Sequence, residues 1–444
     1  MSATRRAARW LVLGASLAVV VMVGLGIVLL TAGPRPPAAA RVSLKSAELR
    51  SKAESAYVAL LDEMRAALRR NDAEAALAAA DEAQRMPCAD AEVCYWRGLA
   101  YRQRGDQDAA LRELNEALRR DPRYATASAA MGWVLLDRDD TDHAAEQFAA
   151  ALARDPSCAE ALAGLGAIKC RRGQAAEAVP LLARAIDSDR TLAVAHAYLG
   201  RALLAQGRLN DAVDALVQAK RFDSRSADAI ALLGEAYLRL GRLDDAEKQW
   251  REALNLDANS IDLRVNLVSL LLDRGRLIDA TQLAEAGLQR QQDAGQLHLL
   301  LGSAYHAQNR LDEALAEVER AQALGIQDPD ARLLLGLLYH EKARYADAID
   351  QYQAALNQDR RLPRAHLNLG LALIALERFE EAASALERAI DLDPGDTFAH
   401  YALGILCMDH LGDAGRASEH LKRYRDLGGA DERVDGWLRR LSSG

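Results

Sequence analysis

Glycine recurs every 34 residues through most of this 444-residue chain, and that period restricts the fold more than any other sequence feature. Valine replaces glycine at one slot, position 268, and no residue is inserted or lost along the series. The nine glycines are Gly98, Gly132, Gly166, Gly200, Gly234, Gly302, Gly336, Gly370 and Gly404. A fixed period of this length indicates a solenoid, in which one supersecondary unit is repeated along the chain.

Alanine recurs on the same period from Ala76 onward, so the array begins one unit before the first glycine, with Met64 in the glycine slot. Eleven units fit the sequence. They begin at Tyr57, Ala91, Ala125, Ala159, Ala193, Ala227, Ile261, Gly295, Pro329, Pro363 and Thr397. The array therefore spans residues 57–428.

Each unit predicts a helical hairpin, because apolar residues follow a helical spacing in its first part and again after a break. The break falls on residues that tolerate the left-handed conformation of a tight helix-ending turn. These residues are Asn71, Gly105, Asp139, Gly173, Gly207, Gly241, Gly275 and Asn309.

The repeated glycine lies inside the first helix, where glycine costs about 1 kcal/mol relative to alanine. A packing reason is therefore required, and a close crossing of the two helices supplies one. In the second unit we expect Gly98 to face Ala110 and Ala117 as small contacts, with Leu114 filling the space beside them. Pro122 then ends the second helix.

This pattern resembles the tetratricopeptide repeat family, and "AYLRLGRLDDAEKQWREALNLD" at 236–257 shows it within one unit. The resemblance covers residues 57–428. It implies an all-α fold, a right-handed superhelical solenoid of about eleven hairpins. It also implies binding of segments of other proteins in a concave groove lined by the first helices.

Two units depart from the glycine rule in a compensating way. Val268 is followed by Ala284, where neighbouring units have a bulky residue, and Met64 is paired with Ala80 in the same sense. Because the summed volume is kept, we expect both units to fold. Gly287 also replaces the usual alanine in the unit that contains Val268.

Two further departures concern the second helices. Pro180 falls inside a helix, where it removes a hydrogen bond, and predicts a local bend. In the last unit the alanine slips by one residue to Ala417, which predicts an irregular hairpin. Residues 429–444 then form a capping helix and tail that cover the end of the stack.

The N-terminal region differs in kind, since residues 10–31 carry no charge and are long enough to cross a bilayer. We interpret 1–9 as a short cytoplasmic tail, 10–31 as a transmembrane anchor and 32–56 as a linker. A cleaved secretory signal is the alternative, because 38–40 is a run of alanines, but the apolar stretch exceeds the usual length of such signals. Membrane orientation is nearly balanced by charge, with arginines at 5, 6 and 9 against basic residues at 35, 41, 45 and 50. We favour a short tail inside the cell and a solenoid that is periplasmic or extracellular.

Composition and motifs give little support for binding of nucleic acid, a cofactor or a metal ion. The net charge of −8 is spread along the chain, so no basic face for nucleic acid is expected. Gly164 and Gly166 begin a dinucleotide-like motif but lack a preceding strand, so no cofactor is expected. No metal site is expected either, because the histidines lack a carboxylate or cysteine in their register; they are His298, His306, His340, His366 and His400.

Cysteine usage suggests one covalent feature. Cys88 and Cys94 flank a short loop between the first two units, close enough for a small disulfide in an oxidising compartment. The other cysteines, at 158, 170 and 407, stand apart from one another along the chain.

If the family geometry applies, positions 5, 6, 9 and 12 of each first helix face the groove. The apolar candidates for partner binding are then Tyr95, Trp96, Leu99, Trp133, Leu136, Leu333, Leu334, Leu337, Leu367, Leu371, Tyr401 and Ile405. The middle of the groove is more polar. Some of these side chains can equally be ordinary packing residues.

These observations predict a membrane-tethered, non-enzymatic scaffold that binds other proteins, in an envelope assembly or export machine. Two alternatives remain open: the same scaffold facing the cytoplasm, and a self-assembling structural protein. An enzyme ranks last, because the array occupies nearly all of the chain after the apolar segment.

Overall fold

The structure is a computed structural model that describes residues 38–87 and 89–442, and within them it contains 23 α-helices and no strand. The chain divides into two compact units, residues up to Ala127 and residues from Ser128 onward. In chain order the helices α1 to α23 are Ala38–Arg69, Ala73–Gln84, Ala91–Arg104, Gln107–Arg120, Ala125–Asp137, Thr141–Arg154, Ala159–Arg171, Ala175–Ser188, Ala193–Ala205, Leu209–Phe222, Ala227–Arg239, Leu243–Leu256, Ile261–Asp273, Leu277–Leu288, Gly295–Ala307, Leu311–Ala323, Pro329–Glu341, Tyr345–Gln358, Pro363–Ala375, Phe379–Leu392, Thr397–Asp409, Ala414–Asp426 and Arg433–Leu441.

The helices pair into hairpins that follow the predicted period, which confirms the all-helical solenoid. From α3 to α21, every first helix begins at the residue where the sequence places the start of a unit. Within each compact unit, a helix packs against its hairpin partner and against the next helix along the chain. The first unit differs: α1 begins at Ala38, inside the stretch 32–56 interpreted above as a linker.

The tight turns between the helices of a hairpin have the left-handed conformation that the sequence predicts. Gly105 has φ of 87° and Asn309 has φ of 59°. The same conformation occurs at Ala343 and Glu377, both with φ of 58°, although neither residue type indicates it. An L residue pays a steric cost in this region, so the hairpin geometry imposes the turn even where the sequence does not favour it.

The repeated glycine lies where the two helices of a hairpin cross, and a large side chain of the second helix lies against it. A Cβ on Gly98 would stand 2.7 Å from Leu114 Cγ, so the large side chain covers the glycine directly. The backbone of Ala110 also comes close, with its carbonyl oxygen 3.3 Å from that Cβ position, and Ala110 and Ala117 are both fully buried. The predicted close approach of the second helix at Gly98, with Leu114 filling the space, is therefore confirmed. A glycine in the first helix accepts a bulky residue of the second, in the nine pairs Gly98–Leu114, Gly132–Phe148, Gly166–Leu182, Gly200–Leu216, Gly234–Trp250, Gly302–Val318, Gly336–Tyr352, Gly370–Leu386 and Gly404–Leu421.

The two exceptional units reverse this arrangement without losing the core. Val268 and Ala284 are both completely buried, as are Met64 and Ala80. The larger residue has moved from the second helix to the first, and the summed volume at the crossing is kept.

The last hairpin shows the one-residue slip that the sequence predicts. Gly404 is covered by Leu421 instead of residue 420, and Ala417 is fully buried. Gly412, with φ of 65°, lies in the turn that takes up the additional residue. In another second helix, α8 continues through Pro180 to Ser188 as a single helix.

Neighbouring hairpins are joined by a repeated tyrosine contact. The Tyr305 hydroxyl donates to Glu285 Oε1 at 2.7 Å, and the Tyr339 hydroxyl donates to Glu319 Oε1 at 2.8 Å. In each case the glutamate belongs to the second helix of the preceding hairpin. Such contacts couple the stability of adjacent repeats, as nearest-neighbour models of solenoids require.

Candidate functional site

The predicted groove residues near the start of the array form an aromatic cluster that is occupied by the protein itself. Tyr95 packs edge-on against Trp96, with ring centroids 5.0 Å apart, and Tyr124 lies 5.1 Å from Tyr95. The Arg65 guanidinium stands 5.2 Å from the Trp96 ring centre. Leu99 follows on the same helix and is half-buried. These aromatic rings therefore already have protein neighbours on several sides.

Trp133 and Leu136 are core residues. They are 7% and 1% exposed, and the Trp133 ring packs edge-on against Phe148 with centroids 5.5 Å apart. Trp133 also reaches Tyr198, two hairpins further on, at 6.0 Å. The intervening α7 presents small residues there, and a Cβ on Gly164 would collide with Phe148. Gly164 is therefore needed for close packing between neighbouring hairpins.

Tyr401 and Ile405 are covered by the closing helix α23. Both pack against the cluster formed by Leu421, Val434 and Leu438. The Tyr401 hydroxyl donates to Asp431 Oδ2 at 2.9 Å, at the entry to α23. These contacts belong to the cap of the stack.

The remaining candidates lie on two consecutive first helices, and we call them the leucine face: Leu333, Leu334 and Leu337 on α17, with Leu367 and Leu371 on α19. All five are half-buried. Leu333, Leu334, Leu367 and Leu371 rest with one side on the main core of their compact unit. The leucine face is therefore an apolar part of the first-helix surface that the described chain leaves partly open.

The same repeat positions extend this face by residues that the sequence analysis did not select. Leu300 on α15 and Ile374 on α19 are also half-buried and pack on the main core. Both occupy positions already assigned to the groove, so the position rule alone could have found them. At position 6 of α19 lies a polar side chain, Asn368, which is half-buried.

Two imidazoles and a carboxylate lie near the ends of α15 and α17. His306 Nε2 lies 3.0 Å from Glu341 Oε1, and burial lowers the pKa of His340 below its usual value. The His340 ring packs edge-on against Tyr345 with centroids 5.2 Å apart. Burial therefore favours the uncharged form of His340 at neutral pH.

The other predicted histidines hold the loops between hairpins. His298, His366 and His400 occupy position 4 of their first helices, and each Nε2 contacts a backbone carbonyl six residues earlier. His196 makes the same contact with Arg190. Among the described residues, no group of three or more His, Cys, Asp or Glu side chains is arranged to hold a metal ion.

The predicted disulfide remains a prediction, because Cys88 lies outside the described residues. Cys94 is buried, and its Sγ lies 4.0 Å from Gln84 Oε1. Burial raises the pKa of the Cys94 thiol above its usual value, which favours the protonated form.

Stacked 34-residue hairpins with an accessible first-helix face define a class of protein-interaction scaffold. The chain belongs to the tetratricopeptide repeat family, and the model that matches more than half of it, over residues 51–299, is that of the cilia and flagella-associated protein 70 C-terminal domain. Residues 307–389 match the model of anaphase-promoting complex, cyclosome, subunit 3, and residues 367–432 match a tetratricopeptide repeat model.

Solved structures of low sequence identity are also similar. PilF of Pseudomonas aeruginosa is 22% identical over 48% of this chain and 96% of that one, with a TM-score of 0.44. The Cut9–Hcn1 hetero-tetramer of the APC/C is 15% identical over 87% and 96%, with a TM-score of 0.42. Yeast Tom70 is 14% identical over 88% and 96%, with a TM-score of 0.38. A search of curated protein sequences gives no significant match.

The described helices include none that is both long and apolar enough to cross a membrane. The predicted anchor at 10–31 lies outside the described residues.

Proposed function

We propose that this protein is a membrane-tethered, non-enzymatic scaffold that binds aliphatic segments of other proteins on the leucine face. The leucine face is the observation that supports the proposal. Trp133 and Leu136 are buried, and the other predicted aromatic residues have ring neighbours within the chain, whereas these five aliphatic side chains retain open surface on two consecutive first helices. A partner with aliphatic side chains at matching spacing would bury the remaining surface.

The open apolar surface of the leucine face is small, so it favours a partner that is already confined to the same membrane. Full burial of a leucine contributes about 1.5–3 kcal/mol, and these side chains, most of whose surface is already buried, contribute well under half of that. Five such contributions must also offset the cost of association, which is itself several kcal/mol. The resulting affinity is modest, and confinement to one membrane raises the effective concentration of a partner on the same membrane.

Tethering is the role we propose for the uncharged segment 10–31, with the solenoid on the periplasmic or extracellular side. In that position the scaffold recruits proteins to an envelope assembly or export machine. The support is the length of the segment and the three arginines that precede it, which favour retention of the short tail in the cytoplasm.

Site-specific photocrosslinking in cells tests the binding surface. A photoreactive amino acid at Leu337 should give a discrete crosslinked species in the membrane fraction. The same amino acid at Ile278, which is 69% exposed on a second helix, should not. The double variant Leu334→Ser/Leu337→Ser should reduce recovery of that species and lower the melting temperature only modestly, because Leu334 also rests on the main core, and Ile278→Ser should alter neither. Equal crosslinking at both positions, or undiminished recovery from the double variant, would contradict the proposal.

A topology reporter tests the tether separately. A reporter that is active only outside the cytoplasm, fused after Gly444, should be active and should sediment with membranes. Deleting residues 10–31 should release a folded protein from the membrane fraction. A stable but inactive fusion would place the scaffold on the cytoplasmic side, whatever the crosslinking shows.

A further inference from the structure

His400 on α21 and His420 on α22 face one another at the last hairpin, and neither has a role in the leucine face. Their Nδ1 atoms are 3.1 Å apart, and their ring centroids are 5.3 Å apart. We propose that this pair is a two-imidazole binding site for a divalent transition-metal ion of the nickel, copper and zinc class.

The orientation of His400 is fixed by the loop before its helix. His400 Nε2 lies 3.4 Å from the carbonyl oxygen of Pro394, which accepts a hydrogen bond only if Nε2 carries the proton. Nδ1 of His400 then presents a lone pair toward His420. A histidine ligand whose second nitrogen donates to a backbone carbonyl is the usual arrangement at metal sites, because the carbonyl sets the tautomer and the ring plane.

The separation of the two nitrogens suits a shared ion. Metal–nitrogen bonds of about 2.0–2.1 Å at a tetrahedral ion place two ligand nitrogens about 3.3 Å apart. Without metal, His420 donates its Nδ1 proton to His400. With metal, His420 moves that proton to Nε2 by exchange with solvent, so ion binding to the neutral pair releases no net proton.

The slip in the last hairpin brings the second imidazole into place. In the hairpin of α15 and α16, His298 makes the same loop contact, and its Nδ1 faces the carboxylate of Glu317. The extra residue before α22 moves His420 into the position that corresponds to Glu317. In the hairpin of α19 and α20, Ala385 occupies that position, so His366 has the loop contact and no second imidazole.

The surroundings allow an ion to enter and keep the ligands neutral. Both rings line an open cleft of about 790 Å³ that also contains Ser418 and Glu419. Burial lowers the pKa of His400 and of His420, and a neutral imidazole is the form that binds metal. Water in the cleft would supply the remaining ligands of a bound ion. The charged groups around the pair are the carboxylates of Glu387, Asp396, Glu419 and Asp426, the guanidinium groups of Arg416 and Arg423, and the Lys422 ammonium group.

Calorimetric titration of the purified, untagged full-length chain with NiCl₂ and with ZnCl₂ tests the site. We expect one ion per chain at neutral pH, and an affinity that decreases as the pH falls through the titration of the imidazoles. His420→Gln, a change at the half-buried member of the pair, should weaken binding by about tenfold or more. His366→Gln is the matched control and should leave binding unchanged.

The melting temperature gives an independent readout. Added NiCl₂ should raise it for the wild-type protein and for His366→Gln, but not for His420→Gln. Absence of binding to the wild-type protein, or equal binding by His420→Gln, would overturn the proposal and leave the pair as a hydrogen bond within the hairpin.

Discussion

Gly234→Val is expected to lower the free energy of unfolding by about 1–3 kcal/mol, the usual range for overpacking a well-filled core. A Cβ at position 234 would stand 2.5 Å from both Cδ1 and Nε1 of Trp250. The indole is held in place by burial and by its Nε1, which donates to the Ala231 carbonyl oxygen at 3.0 Å. Chemical denaturation followed by circular dichroism measures the loss.

The pair Val268–Ala284 supplies the rescue experiment. Trp250→Ala alone should cost about 3–5 kcal/mol, because it leaves a cavity. The double variant Gly234→Val/Trp250→Ala recreates the reversed pairing found in that other hairpin, and should be less destabilised than the sum of the single changes by about 0.5–3 kcal/mol. Lys248→Val is the control. Lys248 lies on the exposed face of α12, the helix that carries Trp250, and the change should alter the free energy of unfolding by less than about 0.5 kcal/mol. If the losses of unfolding free energy from the two single changes simply add in the double variant, a valine at 234 and the Trp250 side chain do not compete for the same space.

The closing helix carries the second large effect. Val434 and Leu438 are 2% and 8% exposed, and they cover Leu421. The double variant Val434→Asp/Leu438→Asp removes two apolar contacts, each of which contributes about 1.5–3 kcal/mol. We expect α23 to separate from the stack and α22 to lose amide protection in hydrogen exchange.

A charge-matched control separates packing from electrostatics in this experiment. Arg439→Asp changes the net charge by the same amount on the exposed face of α23 and should leave protection unchanged. Unchanged protection of α22 in the double aspartate variant would mean that the last hairpin does not depend on its cap.

The sequence by itself determined the architecture, because each feature involved is local or repeats with the unit. Helical periodicity determines the helices, and glycine or asparagine at the break favours the left-handed turn. The matched volume in the Val268–Ala284 and Met64–Ala80 pairs is likewise apparent from the residue types alone, since the period aligns the two partners.

Only the tertiary structure decided which side chains remain accessible, because exposure depends on what neighbouring hairpins contribute. Trp133 is buried since the small residues of α7 let it reach Tyr198, and Tyr401 is covered since α23 folds over it. The leucine face stays partly open because no such element covers it among the described residues.

The left-handed turns at Ala343 and Glu377 also depend on tertiary structure, since packing of the two helices sets them against the preference of the residue. The meeting of His400 with His420 depends on the one-residue slip in three dimensions. The period along the chain locates that slip, but the side chains that it brings together are decided by how α22 packs on α21, because an inserted residue rotates the helix as well as shifting it.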